Sequence, residues 1–163
     1  MAEKPTEEEA QLWQRRLGAQ ANNRAWALAE KASRTPEEDA AMLHAAHASR
    51  HLWGRVGTER NFALADLLLG QVHALLGNGQ AAMQYANSAF AYFTSHASEA
   101  WELAFAHAVL ANAAQAAALP DKHRANYARA LEIADTLTNK EDRKVFDATF
   151  AVIPKPAQEK SAG

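Results

Sequence analysis

Apolar residues in this chain gather in long runs with a polar residue every third or fourth place, as in NFALADLLLGQVHALL (61–76) and WELAFAHAVLANAAQAA (101–117). No stretch alternates apolar and polar positions in β-branched residues, as a half-buried strand would. The pattern therefore predicts helices throughout, and start and stop signals divide them into seven. Thr6-x-x-Glu9 is a capping-box pattern, so the first helix is expected from Thr6 to about Ser33. Thr35-Pro36-Glu37-Glu38 opens a second, with Thr35 as cap, Pro36 where its missing N–H costs nothing, and acidic residues against the positive end of the helix dipole. That helix is expected to run to about Trp53, ending in Gly54-Arg55-Val56-Gly57. The third begins after Thr58 and stops at Gly77-Asn78-Gly79, the clearest turn in the chain. Further helices are expected from Gln80 to Thr94, from Ser98 to the Pro120-Asp121 turn, and from there to Leu137. Thr138-x-x-Glu141 caps a short seventh ending at Phe150. The segment IPKPAQEKSAG (153–163) has two prolines and no apolar period, so residues 6–152 are read as one domain and 153–163 as a frayed tail.

Composition narrows this picture. The 163 residues fit one domain with a sizeable core, and 40 of them are alanine, the best helix former. Seven glycines and five prolines are too few for an all-β or low-complexity chain. With no cysteine, the sequence excludes a disulfide scaffold, an iron–sulfur cluster, a thiolate zinc site and a cysteine nucleophile. A formal charge of −2 gives no general drive toward nucleic acid or anionic lipid. The opening MAEKPTEEEA is acidic, unlike a secretory signal, and no apolar run reaches membrane-spanning length. A soluble, cytoplasmic, all-α domain is the expectation.

Internal similarity comes next. In LLGQVHALLGNGQAAMQYANSAF (68–90), Leu69-Gly70 precedes a turn at Gly77-Asn78, and Ala82, Ala86 and Ala89 follow it. Two antiparallel helices approach closely only where such residues offer no bulk. A shift of 41 residues carries Leu69-Gly70 onto Leu110-Ala111, Gly77 onto Ala118, Tyr85-Ala86 onto Asn126-Tyr127 and Ala89-Phe90 onto Ala130-Leu131. The reverse shift reaches Leu28-Ala29, Pro36, Ala41, Ala45 and Ala48. His123 stands where a small residue is preferred. With these features the segment resembles a tetratricopeptide repeat, and the 41-residue spacing is similar to the long-period variants of that family. The resemblance covers about residues 20–137 and implies a short αα-hairpin solenoid of three helix pairs, with the seventh helix as cap.

It also implies where a partner would bind. The family's concave groove is lined by set positions of the first helix of each pair. Carried over, these are Asn23, Trp26 and Glu30, then Leu64, Leu67 and Gln71, then Phe105, Ala108 and Asn112. This mixture of aromatic, aliphatic and amide groups suits a partly apolar peptide. It lacks the Lys/Asn/Arg set with which some relatives clamp a C-terminal carboxylate.

Other chemistry is sparse. His44, His47 and His51 fall on one side of the second helix, yet no HExxH or ExxH supplies a companion ligand, so no metal or cofactor is expected. Glu102 and His107, an acid/base candidate pair, diverge around their helix because five residues turn through about 500°. No GxSxG and no phosphate loop occurs. Arg15, Arg16, Arg24, Lys31 and Arg34 are interleaved with glutamates and carry no stacking aromatics, which argues against nucleic acid. The leading expectation is a non-enzymatic interaction module holding a protein or peptide in a groove. The alternative is a helical bundle with an internal pocket for a small ligand or metal, lined by His44, His47, Trp53, Asn61, Trp101 and His107. Self-association into a homodimer is a third reading.

Overall fold

A computed structural model describes residues 4–157. Among them are seven helices and no strand: α1 (Glu7–Ala29), α2 (Pro36–Val56), α3 (Glu59–Leu75), α4 (Gly79–Ser95), α5 (Ala100–Ala116), α6 (Pro120–Ala134) and α7 (Lys140–Phe150). No described helix is long and apolar enough to cross a membrane.

Local side-chain chemistry sets the helix starts. Thr6 with Glu9 and Thr35 with Glu38 form reciprocal capping boxes, and Thr58 forms one with Asn61 in place of the usual acid. The ends depart from expectation where a side chain intervenes. α1 stops at Ala29 instead of Ser33 because the Arg34 guanidinium folds back onto the carbonyls of Leu28 and Lys31 (3.4 and 3.3 Å). α2 continues through Gly54 to Val56, and Gly57 ends it by donating to Trp53 O at 2.7 Å. Ser98 does not cap α5, since its hydroxyl donates to Phe93 O at 2.8 Å; Glu99 occupies the cap position. α6 ends at Ala134, three residues short of Leu137. Asn139, not Thr138, caps α7 by accepting from the amides of Glu141 and Asp142 (2.9 and 3.2 Å).

Consecutive helices pair as α1–α2, α3–α4 and α5–α6, and the odd-numbered helices pack in sequence, α1 on α3, α3 on α5 and α5 on α7. The second and third pairs are in strict register. α3 and α5 have the same length and begin 41 residues apart, and α4 and α6 also begin 41 residues apart. Their turns match too. Gly77 and Ala118 both take left-handed φ values, 74° and 57°. In each turn the second residue's amide reaches back to close it, Asn78 N to His73 O at 2.9 Å and Leu119 N to Ala114 O at 2.8 Å.

Two apolar clusters meet at α3. Leu68, Leu69 and Val72 join Ala25, Ala29, Met42 and Ala46 of the first pair, while Ala63, Leu67 and Ala74 join the buried faces of α4 to α7. Every residue of α3 from 65 to 74 is buried. Alanine permits this closeness: a Cβ on Gly70 would lie 3.0 Å from Val109 Cγ1 and 3.1 Å from Ala86 N, and Ala82, Ala86 and Ala89 are all buried. Ile153, in the expected tail, is buried in the second cluster; residues 158–163 lie outside the described residues.

Candidate functional site

The odd-numbered helices and the end of α2 surround a cavity of about 550 Å³. α1 and its C-cap contribute Asn23, Trp26 and Glu30, one helical turn apart each; α3 contributes Asn61, Leu64 and Leu67; α5 contributes Trp101 and Phe105. Trp53 enters from α2, and α7 supplies Asp142, Val145 and Thr149. Phe105, 5% exposed, forms the floor. Trp26 and Trp101 each stand edge-on to it, with ring centroids 6.0 Å apart and planes at 84°. Trp26 is also half-buried against both apolar clusters, so it lines the cavity and holds the two halves of the core together.

The polar side of the cavity is acidic. Glu30 has no ion-pair partner among the described residues, and burial pushes its carboxyl pKa up, offset in part by the Thr149 hydroxyl across the cavity. Thr149 is 1% exposed, and its hydroxyl faces Glu30 without closing a full hydrogen bond. Asp142 likewise makes no ion pair among the described residues, and no lysine or arginine lines the space.

The two candidate sets from the sequence thus partly converge. Asn23, Trp26, Glu30, Leu64, Leu67 and Phe105 from the groove set share one cavity with Trp53, Asn61 and Trp101 from the pocket set. Ala108 is fully buried and off the cavity wall. Gln71 and Asn112 are also buried and lie off it, where the Asn112 amide donates to Gln71 Oε1 at 3.0 Å and ties α3 to α5 across 41 residues. The histidines lie elsewhere. His44 and His51 are exposed, and His47 stands edge-on to His73, ring centroids 5.5 Å apart, while His73 stacks on Tyr85 at 5.6 Å. Burial pushes the His73 pKa down, and the nearby His47 adds to the effect. Among the described residues no group of three or more His, Cys, Asp or Glu side chains is placed to hold a metal.

The acid/base candidates are engaged separately. Glu102, 3% exposed, accepts from Arg60 Nε at 2.7 Å and from the Glu99 amide at 2.9 Å. His107 Nδ1 donates to Asn126 Oδ1 at 2.9 Å, with the Asn126 amide nitrogen anchored on Lys122 O. Burial pushes the His107 pKa down against that bond.

Sequence reasoning missed the α7 wall, Asp142, Val145 and Thr149. The apolar and polar pattern of EDRKVFDATF marks an amphipathic helix but not which polar residues meet α1, more than a hundred positions earlier. Comparison of the chain with protein-family models, curated proteins and solved structures gives no match.

Proposed function

We propose that this chain is a non-enzymatic binding module of the tetratricopeptide-like kind. In this reading α1–α2, α3–α4 and α5–α6 are three αα units, α7 is the cap, and the inner row of odd-numbered helices receives a short segment of a protein or peptide partner. The observation that carries it is the cavity of about 550 Å³ opening on that row, with Trp26, Leu64, Leu67 and Phe105 on its walls. That volume is in the range of spaces that enclose most of a small ligand or one or two side chains. The second and third pairs, in strict 41-residue register, support the repeat reading. The separate engagement of Glu102 with Arg60 and of His107 with Asn126 supports a binding role over acid/base catalysis. A rigid groove of this kind binds without ordering costs of its own. The same cavity also fits the second reading, a pocket for a small molecule, because α7 and Trp53 wall it on sides that an open peptide groove would leave free.

Val145 tests the proposal cleanly, since it lies on the cavity wall yet is 51% exposed. A displayed random-peptide library is panned against the wild-type chain, and the enriched peptides are titrated into Val145→Arg. Affinity is expected to fall at least tenfold with an unchanged melting temperature. Equal binding to both proteins would refute the cavity as the partner site. Native mass spectrometry of the purified chain separates the small-molecule reading, which requires an added ligand mass lost in Val145→Arg.

A further inference from the structure

The chemistry of the walls is more specific than an apolar groove requires. Three tryptophans and a phenylalanine face a space that holds two carboxylates, Glu30 and Asp142, and no basic side chain. The perpendicular setting of Trp26 and Trp101 on Phe105 makes two corners of a box, and Trp53 stands on the α2 side. Aromatic ring faces carry partial negative charge and attract a desolvated cation within about 6 Å of the centroid. One ring already does so, because the Arg60 guanidinium carbon sits 6.0 Å from the Trp101 centroid. Arg60 is itself ion-paired with Glu102 and is not among the cavity's lining residues, so it leaves the acidic charge inside uncompensated.

A neutral apolar ligand would gain from the rings but would leave Glu30 half-buried beside it with no counter-charge, which is costly. An inorganic cation would find too few oxygen ligands and would lose its hydration against indole rings. A cation whose charge is spread over alkyl groups satisfies both walls at once. The space exceeds a trimethylammonium head alone, and Leu64, Leu67 and Val145 leave apolar room for the carbon chain behind it.

We propose that the cavity is an aromatic cage for an alkylated ammonium group carried on an apolar stem, with Trp26, Trp53, Trp101 and Phe105 around the cation and Glu30 as its counter-charge. This rests on the reading of the cavity as the binding site. The shared chemistry has two sources, a free quaternary amine or a methylated lysine side chain of a peptide partner.

The test uses choline, its uncharged isostere with carbon in place of the quaternary nitrogen, and one peptide in trimethyl-lysine and unmodified-lysine forms. Each is titrated into the full chain by calorimetry and tryptophan fluorescence. Choline or the trimethylated peptide is expected to bind at least tenfold more tightly than its counterpart, and whichever of the two binds more tightly identifies the source. Glu30→Gln, near-isosteric and free of the buried charge, is expected to weaken the cation by about tenfold and leave the uncharged isostere unchanged. Equal affinity within both pairs, or a Glu30→Gln variant that binds cations as the wild type does, overturns the cage. If library peptides without any cationic side chain still bind in a manner abolished by Val145→Arg, the cage fails while the binding-module reading stands. If nothing binds in a manner that Val145→Arg abolishes, both fail.

Discussion

The α3–α4 and α5–α6 hairpins share one turn geometry and one helix spacing but reach them with different residues. At the turns, glycine takes the left-handed conformation in the first hairpin (Gly77) and alanine in the second (Ala118). Where the paired helices cross, a Cβ on Gly70 would crowd Val109 and the Ala86 backbone, whereas its counterpart Ala111 carries one and is still fully buried. Opposite them, Ala82 is matched by His123, whose Nδ1 donates to the Ala111 carbonyl at 2.8 Å. The polar pair between α3 and α5 mixes the lengths, a glutamine facing an asparagine. What repeats is therefore the path of the chain and the space between helices. Residue identity is held only where the path leaves no alternative, and three sets of substitutions probe where that is.

The largest effect is expected at Gly79, the first residue of α4. A Cβ there would lie 2.5 Å from Ala116 O and 2.6 Å from Ala117 Cα, both backbone atoms at the end of α5 that cannot step aside. Gly79→Ala should cost about 3 kcal/mol and lower the melting temperature by roughly 10 °C. The matching residue of α6 is Pro120, which shows that the register itself tolerates a side chain. An unchanged melting curve would mean that the two hairpins do not meet as described.

Next comes the buried amide pair. Gln71→Leu strands the Asn112 amide in the core and should cost about 2 kcal/mol. Gln71 Nε2 already lacks a partner, so replacing both residues by leucine should recover a good part of that loss. Urea unfolding of the two single variants and the double variant measures the coupling. Strictly additive losses would show that the bond contributes nothing to the register of α5 on α3.

The smallest effect has the opposite sign. Ala118→Gly relieves a left-handed alanine and should stabilise the chain by about 0.5–1 kcal/mol, while Gly77→Ala at the matching turn should cost about as much. Thermal melts of the two variants should shift in opposite directions. Shifts of the same sign would break the equivalence of the turns.

Much of this was legible in the chain. Thr6, Thr35 and Thr58 announce their helices because a cap is a local matter of a few bonds, and the offset that carries Gly77 onto Ala118 marks two turns of one geometry. Helix ends were less legible, since they depend on longer reaches such as Arg34 to Leu28 O. Of the candidate site, Trp26, Glu30 and Phe105 could be named from the groove positions that the repeat resemblance implies, and Trp53 and Trp101 from their chemistry. That Gln71 and Asn112 turn toward each other instead of lining the cavity follows from the rotation of α5 on α3, which no single helix encodes. The same holds for Thr149, whose position depends on the whole row of helices bringing α7 back toward α1.

The burial of α3 on both flanks has a consequence for how the molecule comes apart. In arrays of helix pairs each unit is stabilised by its neighbours, and an end can open while the rest persists. Here the central helix belongs to both apolar clusters, so neither half can open without exposing the residues that hold the other. Fraying is confined to places such as the first turns of α1, where Leu12, Trp13 and Leu17 stand in solvent. The amide hydrogens of α3 are therefore expected to exchange only when the entire chain lets go, and a ligand held against Leu64 and Leu67 would be felt as a stabilisation of both halves at once.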